Sequence, residues 1–95
     1  MRSPGFHLGV IVATPGALEL AKASGVVLAS LLQRHQSGDW GDIHEADIGL
    51  NEQALRAGAR IFSVYNVPHN SSIATFWFIT EADRESTTVL LPEDY

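Results

Sequence analysis

The sequence predicts an α+β protein: an N-terminal strand and two to three helices packed on an antiparallel three- to four-stranded sheet with a C-terminal meander. Three observations lead there. Apolar residues recur at helical spacing between Pro15 and Ala57, alternation with a period of two takes over from Arg60, and a separate β-rich run, LGVIVA, precedes the first helix. The 95 residues suffice for a single domain, 1–95. Hydrophobic residues make up 45% and charged residues only 18%, which argues for a packed core and against disorder. So little charge also leaves apolar surface uncovered, and self-association is the expected consequence.

The elements follow in order. Residues 8–13 form the first strand and stop at Thr14-Pro15-Gly16. Thr14 is suited to cap a helix and Pro15 sits where its missing N–H costs nothing. A short helix through Leu18 and Ala21 is interrupted near Gly25. The next segment, VVLASLLQRHQSG, carries the clearest amphipathic stripe, Val27, Leu28, Leu31, Leu32 and His35, with Gly38 fitting the left-handed position beyond its end. Ile43 to Ala57 reads as a third helix with Ile43, Ala46, Leu50, Ala54 and Ala57 on one face and Gly58 as the stop. Gly49 weakens its middle by roughly 1 kcal/mol relative to alanine. RIFSVYNV, IATFWFIT and TTVLL are three strands of a meander, separated by PHNSS and EADRES. Large side chains occupy both alternations of IATFWFIT, so this strand is expected at the centre, covered on both sides. With helices on one face, a second subunit is the expected cover of the other.

The net charge of −5, with six scattered basic residues, disfavours direct binding to nucleic acid or to an anionic membrane surface and leaves a basic protein partner open. The absence of cysteine removes disulfides, thiolate nucleophiles and Cys-based zinc sites. The N-terminal apolar run is too short for a signal-peptide core or a membrane span, so no membrane association and a cytoplasmic location are expected.

HQSGDWGD, residues 35–42, is the segment richest in chemistry. His35, Asp39, Asp42, His44, Glu45 and Asp47 are all metal-ligand types, but no HExxH or calcium-loop spacing appears among them. A turn between helices accounts for them singly. His35 lies on an apolar stripe; Asp39 suits an Asx turn; Asp42 with Glu45 has the spacing of an N-cap and its reciprocal partner. Trp40 either closes the core from outside or anchors a partner. Arg84, in the acidic turn 80–88, is placed to fold back onto Asp39 or Asp42. Among Ser37, Ser63, Ser71, Ser72 and Ser86, none stands in a nucleophile elbow. No cofactor is implied.

RHQSGDWGD (34–42), the asparagine-containing third helix and ITEADRESTTVLLPEDY (79–95) together resemble a family of small, uncharacterised bacterial proteins met on plasmids and integrated mobile elements. The resemblance spans roughly residues 8–95. It implies a bacterial, cytoplasmic accessory gene product and carries no activity with it. Glu85 departs from a more usual serine, His44 stands where a capping serine is expected, and PHNSSIA lengthens the first hairpin connection.

The leading functional expectation is a non-enzymatic, self-associating interaction module whose partner-binding surface includes Trp40, Asp39, Asp42 and Arg84. The alternatives are a metal-dependent hydrolase using His35, Asp39, Asp42 and His44, and an acidic DNA mimic that inhibits host defence proteins.

Overall fold

In a computed structural model, which describes residues 5–95, the chain runs β1 (Val10–Ala13), α1 (Pro15–Ser24), α2 (Leu28–Gln36), α3 (Glu45–Ala57), β2 (Ile61–His69), β3 (Ser72–Thr80), β4 (Ser86–Leu90) and a final 3-10 turn, Pro92–Asp94. The α+β class and the C-terminal meander are as the sequence predicts. The four strands lie in the order β1-β4-β3-β2. The meander pairs are antiparallel, but β1 joins β4 in parallel, so the sheet is mixed rather than antiparallel. All three helices and two strands separate β1 from β4, so no hairpin imposes an antiparallel partner on it.

Thr14 caps α1 as anticipated, its hydroxyl accepting from the Ala17 N–H at 3.1 Å. It also donates to Asp94 at 2.7 Å, which ties the C-terminal turn to the start of the helix. α2 buries Leu31 and His35 with Leu28 and Leu32 beside them, whereas Val27 stands outside the helix as an exposed N-cap. The first hairpin differs from expectation. His69 pairs with Ser72, so only Asn70 and Ser71 form the turn, and the extra residues of PHNSSIA lengthen both strands. Asn70 takes the positive φ of 56° that this tight reversal needs.

α3 is rotated from its expected face by about one residue. Ala46, Leu50 and Ala57 are exposed, while Asn51 and Ala54 point inward. The Asn51 carboxamide donates to the Phe62 carbonyl (2.7 Å) and accepts from the Phe62 N–H (3.1 Å). These two bonds give the edge of β2 its ladder partners, and they outweigh the burial that Leu50 would gain.

Alternation along the sheet separates two faces. Tyr65, Phe76, Phe78 and Val89 pack with Ala17, Ala21 and Leu31 of the helices to form the main core. A second cluster, Trp40, Ala54 and Ile61, lies beneath α3, with Phe6 and Leu55 against it. Among the described residues no α-helix crosses the opposite face of the sheet, where Tyr95 packs against Trp77.

Candidate functional site

The acidic turn after α2 is a cover for a sheet edge. β2 ends the sheet on one side, and residues 40–42 run alongside it. The Val64 N–H donates to the Trp40 carbonyl (3.2 Å), the Asp42 N–H to the Val64 carbonyl (2.6 Å), and the Asn66 N–H to the Asp42 carboxylate (2.9 Å). With Asn51 on Phe62, the outward backbone groups of β2 from Phe62 to the Asn66 N–H are all paired. Gly41 makes this approach possible: its φ is 73°, and a Cβ there would run into the Val64 carbonyl and the Tyr65 ring. Asp42 is therefore spent on β2 and does not cap α3. The N-cap is His44, without a side-chain bond, and Glu45 and Asp47 in the first turn complement the helix dipole instead.

Asp39 forms the anticipated Asx turn with the Gly41 N–H (3.2 Å) and pairs with Arg34 (2.7 Å), whose guanidinium also stands 4.7 Å from the centre of the Tyr65 ring. The hydrogen bond from Arg34 holds the Asp39 carboxyl below the usual carboxylate range. Both partners are about half exposed, so the pair is worth about 0–1 kcal/mol. The Tyr65 hydroxyl donates to the Asp39 carbonyl, and burial pushes its pKa up to about 12.

Trp40 fills the core. It is 5% exposed, packs against Phe6 and His35, and its indole N–H reaches Glu52 at 3.1 Å. Of the two roles left open for this residue, the structure shows the core plug. Arg84 does not fold back onto Asp39 or Asp42. Its guanidinium donates to the Ala54 carbonyl (2.9 Å) and the Ala59 carbonyl (2.6 Å), closing the C-terminal end of α3, where a cation is favoured. To get there Arg84 takes a positive φ of 62°. Trp40, Asp39, Asp42 and Arg84 thus each have an internal task in holding turn, helix and sheet together.

His35 is fully buried and bridges two strands: Nδ1 lies 2.6 Å from Ser63 Oγ and Nε2 2.8 Å from Thr80 Oγ1. Thr80 continues to Thr87 (2.7 Å), whose hydroxyl donates to the Leu8 carbonyl (2.7 Å). Because a carbonyl can only accept, the direction of every proton in this chain follows. Thr80 donates to Thr87, the imidazole Nε2–H donates to Thr80, and Ser63 donates to Nδ1. The network is satisfied by the neutral imidazole, and burial lowers its pKa to about 4. Ser63 beside a basic nitrogen is the geometry of an activated nucleophile. Ser63, His35, Thr80 and Thr87 are all 0% exposed, however, and Phe6 lies edge-on over the imidazole at 5.3 Å, so no substrate atom reaches them here. Inward-facing threonines on two adjacent strands were the available sequence signal for this network.

Among the described residues, no three His, Asp or Glu side chains are grouped to hold a metal ion. His35, Asp39, Asp42 and His44 do not converge: both nitrogens of His35 face the core, and the two aspartates are engaged separately.

The side of the sheet away from the helices is only partly open, with Ile79 and Leu90 each 6% exposed at its centre. Strand register aligns Val12, Thr88, Ile79 and Phe62 in one row across all four strands, and Leu90, Trp77 and Val64 in the next. Phe62, Trp77 and Tyr95 stack edge to face at 5.2 and 5.6 Å. With Ile79 and Arg60 they line a shallow cleft of about 220 Å³. Ile73 is 61% exposed beyond it, and Val10 and Val12 are 68% and 47% exposed at the far edge. Arg60 and Glu81 form an exposed ion pair at one end (3.3 Å), leaving the centre of the face uncharged.

No family model, curated protein or solved structure matches the chain. Among the described residues no single helix is long and apolar enough to cross a membrane, and α1 and α2, which reach that length together, are bent by 110°.

Proposed function

We propose that this chain is a non-enzymatic protein-interaction module that self-associates, and that its contact surface lies on the β1 side of the sheet rather than at the acidic turn. The observation that carries this reading is the exposed apolar run of β1, where Val10, Ile11 and Val12 are 68%, 44% and 47% exposed. An uncharged apolar strand left exposed at a sheet edge is a template for pairing with another chain. A second copy meets no like charge along this strand, since Phe6 to Leu18 holds no Asp, Glu, Lys or Arg, which matters for a chain of net charge −5. The acidic turn is a weaker candidate, because Trp40 is already consumed by the core. A bacterial, cytoplasmic, accessory role is part of the proposal and rests on the family resemblance of residues 34–42 and 79–95.

Light scattering over a concentration series tests self-association. The expected result is a species of about twice the 10.3 kDa chain mass at micromolar concentration. A strictly monomeric chain up to millimolar concentration overturns the proposal.

A further inference from the structure

The two edges of the sheet are treated in opposite ways. The β2 edge is closed by Asn51, the Trp40–Asp42 backbone and the Asp42 carboxylate. β1, the other edge, has none of the usual protections: its sequence VIVA holds no charge, no proline and no bulge. Val10 and Thr14 donate their N–H groups inward to Glu85 and Val89 of the β4 side. By alternation, the N–H and C=O groups of Ile11 and Ala13 point outward. Among the described residues, nothing pairs with them. The side chains of Val10, Ile11 and Val12 are 68%, 44% and 47% exposed, so the strand is open on both faces as well as along its edge.

We propose that β1 is a strand-pairing site whose occupant is β1 of a second copy, the two strands running antiparallel about a two-fold axis beside Val12. This names the contact used in the self-association proposed above and rests on that reading. In such a pairing Ile11 of each copy faces Ala13 of the other, giving four interchain hydrogen bonds within Val10–Ala13. A two-fold axis sets a strand against itself, so a charged strand would oppose its own charge; from Phe6 to Leu18 the chain carries no Asp, Glu, Lys or Arg. The acidic groups Asp42, Glu45, Asp47 and Glu52 belong to the β2 side of the sheet and point away from the contact. Glu85, next to the start of β1, and Asp94, bonded to Thr14 just past its end, stand at the rims of the contact rather than on Val10–Ala13. The result is one eight-stranded sheet with all helices on one side. The Val12–Thr88–Ile79–Phe62 rows of the two copies then join end to end through Val12 on the other side.

Ile11→Pro tests the pairing without disturbing β1 against β4, because it removes an outward N–H only, the position where an edge strand accepts proline. Val10→Lys is a second variant, placing a charge on the contact at a 68% exposed position. Ile73→Lys, on the uncovered face far from β1, is the comparison. By light scattering and circular dichroism, the wild type and Ile73→Lys are expected to be dimers. Ile11→Pro and Val10→Lys are expected to be folded monomers, with dimer dissociation constants raised at least tenfold. A dimer that persists in folded Ile11→Pro or Val10→Lys overturns the β1 contact while leaving self-association standing. A monomeric wild type overturns both.

Discussion

Replacing His35 by leucine removes a core group that titrates in the acid range, unlike the buried Tyr65 phenol, and so isolates its share of the acid response. In the folded chain the imidazole pKa is about 4, against 6.5 unperturbed, because burial disfavours the cation. As pH falls, the unfolded chain takes up the proton first. The stability tied to neutral His35 is therefore intact above pH 6.5, drains away between about pH 6.5 and 4, and is gone below that. The displacement corresponds to a loss of about 2–3 kcal/mol between pH 7 and pH 4.5. Protonation also breaks the order of the network, since Nδ1 would have to donate to Ser63, whose own proton then needs another acceptor. In His35→Leu the Ser63 hydroxyl loses its partner, which costs about 1–3 kcal/mol at pH 7. Thr80 keeps Thr87, and Thr87 keeps Leu8. The variant is thus less stable than wild type at pH 7 and close to it, or above it, at pH 4.5. Urea unfolding at pH 7, 6, 5 and 4.5 measures this directly. Asp39 and Asp94, whose pKa values are lowered by Arg34 and Thr14 respectively, are present in both proteins and cancel in the difference. Parallel stability curves for the two proteins over this range would refute the reasoning, because then no proton uptake is coupled to unfolding through His35.

Two further outcomes test the edge cover and the core. Asn51→Ala leaves both Phe62 backbone groups without their partners and is expected to cost about 2–3 kcal/mol in urea unfolding; a loss under about 0.5 kcal/mol would mean that water replaces the carboxamide without penalty. In Trp77→Phe, the remaining Trp40 is expected to emit at short wavelength and resist acrylamide, as its 5% exposure requires. Long-wavelength, freely quenched emission would place Trp40 at the surface and return the acidic turn to consideration as a binding loop.

What the sequence determined by itself was local. Thr14-Pro15 opening α1, the stripe of α2 from Leu28 onward and the period-two alternation of the last three strands depend on near neighbours along the chain, and each stands in the structure where the pattern puts it. What depended on distant partners was legible only in part. The ligand types of HQSGDWGD were visible, but their role as a cover for β2 was not, because the bonds run from Trp40 and Asp42 to Val64 and Asn66, more than twenty residues away. Asn51 turned α3 away from its most apolar face for the same reason: a pair of backbone groups on β2 needed partners more than Leu50 needed cover. The tertiary structure alone decided that His35 links Ser63 to Thr80, that Arg84 closes α3 and that β1 lies parallel to β4 at an open edge. Hydrophobic periodicity records which side of an element faces inward. It does not record which polar groups must meet once the elements are packed, and in this protein those groups choose the edges, the turns and the surface left for a partner.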